Sequence, residues 1–235
     1  MNLLALDTAT EACSCALWQD GAVRTRVSRA GRDHTQQLLP QLQSLLAESG
    51  LAFAQIDGLV VGIGPGSFAG VRIGVAAAKG LALALDRPVW GVSSLALLAA
   101  AAPPAASMVC AALDARLDAV YAQAFQRDAQ GLPEPLAPAE VVVPAALRWP
   151  VDGPCVAVGT GWARYPEALA ASLTAAPRHT DGSALPLAEA GFGLARRAWA
   201  QGAFGPAATL QPLYLRDKVA LTLIEQQARR QAAEG

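Results

Sequence analysis

Charge is scarce in this chain of 235 residues: Asp, Glu, Lys and Arg together make up 16%, well below the roughly 25% of an average globular domain. Most of the chain is therefore interior or interface. Histidine is rarer still. His34 and His179 stand in neither HExxH nor HxxxH spacing, so the chain offers no histidine pair for a catalytic metal. The four cysteines (Cys13, Cys15, Cys110, Cys155) are too few and too apolar in context for a disulfide framework. Cys13 and Cys15 have no histidine nearby and read as core-filling thiols in a strand, not as zinc ligands. A net charge of −1 gives no overall positive field to draw the chain onto nucleic acid, so any RNA contact runs through a local patch or a partner. The start MNLLALD has no basic segment, and Asp7 cuts its apolar run short, which excludes a signal peptide.

What is abundant is alanine, with 53 residues. The apolar fraction is thus built of small side chains that let backbones approach closely. The uncharged stretch 88–113 is long enough to span a bilayer, but Pro103-Pro104 interrupts it. It reads as strand, buried helix, then strand in a soluble cytoplasmic protein.

Residues 3–6 form a short strand stopped at Asp7. CSCALW and AVRTRVSR flank Asp20-Gly21, a hairpin signal, so three strands open a mixed sheet. Asp33 with Gln36 three residues on predicts a helix start, and Leu38, Leu39, Leu42, Leu45 and Leu46 carry its period to Gly50, with Pro40 inside. A strand over 59–63, a helix over 68–85, a strand over 89–92 and a helix from Ser94 complete an α/β lobe spanning 1–102. Pro103-Pro104 marks its boundary. A second lobe, 105–215, repeats the logic with strands at 108–113, 119–125, 140–143 and 155–158 and helices over 166–173 and 185–199. A helical tail covers 216–235, its helix running from Leu221 to Ala233. Two hairpin-led lobes imply duplication at the fold level, the second lobe degenerate, although no sequence repeat is visible.

The segment GIGPGSFAGVRIGVAAAKG (62–80) places Gly64, Gly66 and Ser67 between a strand and a helix, a backbone suited to an anion. It is not a Walker A loop, a clean dinucleotide fingerprint or a nucleophile elbow. Asp7 at the strand end is a candidate magnesium ligand beside a phosphate; a turn former is the plainer reading. Gly70, Gly74, Ala78 and Ala82 fall four apart and make a smooth stripe on one helix face, suited to a contact inside the lobe or to a partner helix.

The segments LLALDTATEACSCAL, DHTQQLLPQLQSLL, VVGIGPGSFAGVRIGVAAAKGLA, VWGVSSLALLA, ALDARLDAVYAQ, VGTGWARY and PLYLRDKVA resemble, in order, the TsaB (YeaZ) family. The resemblance covers nearly the whole chain and is best before residue 125. It implies the actin-like, sugar-kinase and Hsp70 (ASKHA) fold, two α/β lobes around a cleft. It also implies a role in threonylcarbamoyl modification of the adenosine beside the tRNA anticodon, as the non-catalytic partner of the paralogue TsaD. Ser94 and Leu98 stand where that paralogue carries its metal-binding histidines, and Asp114-Ala115-Arg116 replaces its second glycine-rich phosphate turn. No catalytic residue and no metal ligand is assigned here. An aspartate in that turn repels a phosphate unless magnesium or Arg116 compensates.

The resemblance further implies pairing with TsaD through helices of the first lobe; in this sequence the helices about 33–49 and 68–85 offer the material, and their leucine period and small-residue stripe give Leu38, Leu42, Leu45, Gly70, Gly74, Ala78 and Ala82 as the expected interface. Gly74→Leu or Leu42→Asp is then expected to break the heterodimer and leave the monomer folded. The same face gives a homodimer in isolation. An ATPase, TsaE, joins the larger complex; ATP or ADP and a metal ion belong to the partners, and tRNA is reached only through the complex. Asp7, Gly64, Gly66 and Ser67 remain a degenerate nucleotide or phosphate site. The alternatives are an ATP-dependent kinase or ATPase using Asp7 and the 62–70 turn, and, weakest, a peptidase.

Overall fold

A computed structural model of the chain describes residues 1–29, 31 and 33–216. The expected helix over 221–233, and the tail assigned to 216–235 apart from Arg216, lie outside the described residues.

The first lobe begins with β1 (Asn2–Asp7), β2 (Ala12–Gln19) and β3 (Ala22–Arg29). Asp20 and Gly21 both take positive φ (48° and 97°), the conformation of a tight two-residue hairpin turn. Then follow α1 (His34–Glu48), β4 (Gly58–Gly62), α2 (Phe68–Leu85), β5 (Val89–Val92) and α3 (Ser94–Ala101). The sheet runs β3-β2-β1-β4-β5, antiparallel across β1–β3 and parallel across β1-β4-β5.

β1 is buried on both faces, which is why LLAL reads as continuous rather than alternating. Leu4 and Leu6 pack with Leu38, Leu42 and Leu45 of α1 and with Val71 and Val75 of α2. Leu3 and Ala5 face the opposite layer, with Leu97 of α3. α1 accommodates Pro40 without breaking. Asp33 makes no side-chain cap; its carbonyl oxygen accepts from the Gln36 and Gln37 N–H groups.

The second lobe holds β6 (Met108–Asp114), β7 (Val120–Arg127), β8 (Pro133–Pro135), β9 (Glu140–Val142), β10 (Val156–Val158), α4 (Thr160–Arg164), α5 (Pro166–Ala170), β11 (His179–Asp181) and α6 (Phe192–Ala200). Its sheet runs β11-β10-β6-β7-β8, with β9 also on β7. As in the first lobe, the opening strand pairs antiparallel with the next and parallel with a later one. Each opening strand ends in aspartate, Asp7 in one lobe and Asp114 in the other.

α3 lies between the sheets: Leu97 faces the first, and Leu95 and Leu98 join Val109, Leu113 and Phe125 of the second. Beyond the second sheet, Trp149 stacks on Trp162 at 5.7 Å, and their indole N–H groups donate to the carbonyl oxygens of Leu169 and Cys110. Arg127 ties α3 to this lobe by donating to the carbonyl oxygens of Ala99, Ala102, Ala106 and Gly131.

The assignment of 105–215 to the second lobe needs correction. Ala188, Phe192, Leu194 and Ala195 pack on the first sheet beside Leu3, Ala5, Ala16 and Val60. Gly205 exchanges two backbone hydrogen bonds with Val89, and the Leu213 N–H donates to the Ile63 carbonyl oxygen at 2.8 Å. The chain returns because one face of the first sheet would otherwise leave these apolar residues in water.

Candidate functional site: an interlobe cleft and an uncovered helix face

A cleft of about 550 Å³ opens between the two lobes. From the first lobe it is lined by the β1–β2 turn (Ala9, Thr10, Glu11), by Gly31 and His34 at the start of α1, and by Gly66 and Ser67 at the start of α2. From the second come the β6–β7 turn with Asp114 and Arg116, Tyr121, and Thr160, Ala163 and Arg164 of α4. Asp114 accepts the Arg116 N–H at 2.9 Å and pairs with its guanidinium at 3.3 Å, so the arginine compensates the aspartate directly. The Thr160 hydroxyl accepts the Asp114 N–H at 3.1 Å, tying the two second-lobe walls together. Burial pushes the Tyr121 hydroxyl up, opposed by the charge of Arg216.

Of the expected phosphate-site residues, the structure brings only Gly66 and Ser67 to this cleft. Asp7 is fully buried under the turn. One carboxylate oxygen accepts the Ala9 N–H at 2.9 Å, and the other has no hydrogen-bond partner among the described residues. It occupies the space that a side chain on Gly62 would fill, and burial raises its pKa from 3.8 to about 7. Gly64 is buried beneath the segment that carries Leu213. Asp7 therefore does not reach the cleft as a magnesium ligand. Ser94 and Leu98 are both fully buried. Cys13, Cys15, Cys110 and Cys155 are free, buried thiols; the hydrogen bonds of Cys15 with Cys13 and of Cys110 with Cys155, and then burial, push the Cys15 and Cys110 pKa values upward. Thr160 and Arg164 lie in the VGTGWARY segment, and His34 and Arg116 in segments also quoted, but none of the four carries a pattern that assigns it to a cleft.

The seven interface residues lie on the wrong side for a partner. Leu38, Leu42, Leu45, Gly70, Gly74, Ala78 and Ala82 are all buried within the first lobe. The smooth stripe of α2 faces Thr8: a Cβ on Gly70 would overlap the Thr8 carbonyl oxygen, and one on Gly74 would sit 2.6 Å from Thr8 Oγ1. The Thr8 hydroxyl in turn donates to the Gly70 carbonyl oxygen at 2.7 Å. Small residues were needed for a close approach, but to the lobe's own backbone.

What remains outside is the opposite face. α2 is apolar enough by length and composition to cross a membrane, yet only 33% of it is buried. Outward it presents Ala69, Ala76, Gly80, Leu83 and Ala84, with Leu83 74% exposed. On the neighbouring α1, Leu39 and Pro40 are also exposed. Near its start, α2 carries an exposed stack in which Arg72 lies 3.6 Å over the Phe68 ring and donates to the Tyr214 hydroxyl.

Comparison with known proteins decides the family. The chain is 41% identical over 226 residues to the tRNA threonylcarbamoyladenosine biosynthesis protein TsaB of Escherichia coli, covering 94% of this chain and 96% of that one. The chain belongs to the TsaB (YeaZ) family. The TsaB protein of Haemophilus influenzae is 37% identical, with 93% of this chain and 95% of its own covered. The solved structure of YeaZ from Pseudomonas aeruginosa superimposes with a TM-score of 0.85 at 41% identity, over 91% of this chain and 99% of that one. The family model for TsaD, tRNA N6-adenosine threonylcarbamoyltransferase, matches residues 28–179. The TsaB-family chain thus shares a domain type with the transferase across both lobes.

Proposed function

We propose that this chain is a non-catalytic partner of a TsaD-type transferase in the biosynthesis of threonylcarbamoyladenosine in tRNA. The observation that carries the reading is the uncovered apolar face of α2 in a chain 41% identical to a TsaB protein over nearly its whole length. An apolar helix face in water is costly to leave open and gains on docking, roughly 25 cal/mol for each Å² removed from solvent. The docking surface is Ala69, Ala76, Gly80, Leu83 and Ala84 of α2 with Leu39 of α1, in place of the inward residues. About 800 Å² per partner makes a stable, specific interface. A second copy meeting the same face gives the homodimer of the isolated chain.

Two features support the absence of catalysis. Leu98, where the resemblance expects a metal ligand, has no lone pair to donate and is sealed in the core with Ser94. These residues do not fit a metal. In the second lobe, the Asp114–Arg116 pair fills the turn expected to cradle phosphate. The duplicated arrangement of the two sheets supports the actin-like (ASKHA) fold type. The metal and the nucleotide belong to the partners, a TsaE-type ATPase among them; tRNA is met through the complex, in the cytoplasm.

The test is reconstitution. Threonylcarbamoyl transfer to tRNA should require both this chain and the paralogue, and Leu83→Arg should abolish their co-elution on a sizing column. Transfer by this chain alone overturns the reading, and undiminished co-elution of the variant overturns the surface.

A further inference from the structure

β3 is an edge strand: the first sheet runs β3-β2-β1-β4-β5, so β2 pairs with only one side of it. The β2–β3 hairpin has a two-residue turn with positive φ at Asp20 and Gly21, which makes its closing pair, Gln19 and Ala22, a hydrogen-bonded one. Hydrogen-bonded pairs then recur at every second residue. Ala22, Arg24, Arg26 and Ser28 therefore direct their backbone groups at β2, while Val23, Thr25 and Val27 turn theirs outward. Among the described residues, nothing gives or takes a backbone hydrogen bond on that outer row. Val23 and Val27 are also 47% and 49% exposed. An edge of this kind is a template for a further strand.

The two faces of β3 differ, and the difference dictates what such a strand must carry. On one face, Ser28 donates to Gln37 of α1 and Arg26 pairs with Glu48 at the end of that helix. Arg24 stands exposed on the same face, its guanidinium donating to Gln19 Oε1 at 3.2 Å. On the other face, away from α1, Val23 lies opposite Trp18 and Val27 opposite Ser14. β3 reads Ala-Val-Arg-Thr-Arg-Val-Ser-Arg, with arginine its only charged residue type. Side chains directly opposite on neighbouring strands lie about 5 Å apart, so like charges there repel and opposite charges attract. A second copy of β3 is thereby a poor occupant. Antiparallel about a two-fold axis at Thr25, it would set Val23 against Val27 but also Arg24 against Arg26. Arginines on an edge guard it against like edges and leave it open to a strand of opposite charge.

We propose that β3 is a docking edge for an extended acidic segment of another protein. The segment adds a strand to the first sheet, with apolar side chains beside Val23 and Val27 and carboxylates beside Arg24 and Arg26. Main-chain hydrogen bonds to Val23, Thr25 and Val27 supply the affinity, and the alternation of side chains selects the partner. The edge belongs to a different element from the outward face of α2, so the proposal stands or falls without the partner reading above.

The experiment is an NMR titration of the full chain with an octapeptide of alternating glutamate and valine, and separately with the same peptide carrying lysine for glutamate. The acidic peptide should give saturable amide shifts at Val23, Thr25 and Val27 and slow their hydrogen exchange at least tenfold at saturation. Exchange at Arg24 and Arg26, whose amides already face β2, should not change. Arg24→Glu should weaken binding about tenfold. Thr25→Pro removes an outward N–H that an edge strand can spare, and should abolish binding with the melting curve retained. Arg24 is exposed, so its charge reversal keeps the fold and tests the edge even if the proline variant does not fold. Leu83→Arg on α2 should leave peptide binding unchanged. Equal binding of the lysine peptide, no saturation with the acidic one, or shifts without slowed exchange at the three outward amides overturns the proposal. So does self-association in sedimentation that Thr25→Pro removes, which would give the edge to a second copy.

Discussion

Replacing Asp7 by Asn should change how stability depends on pH, and the structure sets the size of the effect. The carboxyl is fully buried and its pKa stands at about 7, against 3.8 for the ordinary group, because burial outweighs the hydrogen bond from Ala9. In the unfolded chain it ionises near 3.8; in the folded chain it keeps its proton to near neutrality. Its stabilising contribution is therefore complete below pH 3.8, declines as pH rises towards 7, and is flat above. At about 1.4 kcal/mol per pH unit, the full swing is on the order of 4 kcal/mol, of which about 3 kcal/mol falls between pH 5 and 8. Asparagine cannot titrate. It keeps an acceptor for the Ala9 N–H but places an amide N–H₂ where the second oxygen finds no partner among the described residues, a cost of about 1–3 kcal/mol. The variant should thus gain about 3 kcal/mol on the parent between pH 5 and 8 and be the more stable of the two at pH 8. Urea denaturation followed by tryptophan fluorescence at several pH values measures the difference directly, with the other titrating groups cancelling. Two curves separated by a constant offset would refute the argument.

The inward stripe makes Gly74→Leu and Leu42→Asp folding lesions rather than interface lesions: each should lose at least about 3 kcal/mol or fail to fold, in thermal melts of the isolated chain. Leu83→Arg should leave the melting curve within about 0.5 kcal/mol of the parent, as an exposed substitution does, while removing partner binding. Arg127→Met should cost about 2–4 kcal/mol in chemical denaturation, since four carbonyl oxygens lose one shared donor. A loss no greater than that of an ordinary surface change would show those contacts to be incidental.

Much of the fold was legible in the residues. Asp20-Gly21 announced the first hairpin, Pro103-Pro104 follows the end of α3, and the leucine period of α1 marked a buried face. Short elements were missed where composition opposed them: β8 is Pro-Glu-Pro at a sheet edge, and β11 is three polar residues. The helix expected over 185–199 is a 3-10 turn at 188–191 followed by α6. The candidate site was harder to read, for a physical reason. Periodicity groups Gly70, Gly74, Ala78 and Ala82 on one face, but small side chains suit any close neighbour. Only the tertiary position of Thr8 shows that this neighbour is internal. The cleft joins turns about a hundred residues apart, from Thr10 to Arg116, and no local pattern signals that meeting.

The return of residues 188–213 to the first sheet governs how the molecule can be made. On the ribosome, the amino-terminal half emerges with one side of its sheet lacking the Phe192 and Leu194 cover, and nearly all of the remaining chain must be synthesised before that cover arrives. A protease cut at the Pro103-Pro104 hinge would therefore yield no autonomous fragment from the front half. The two halves should melt in one cooperative event rather than as separable modules.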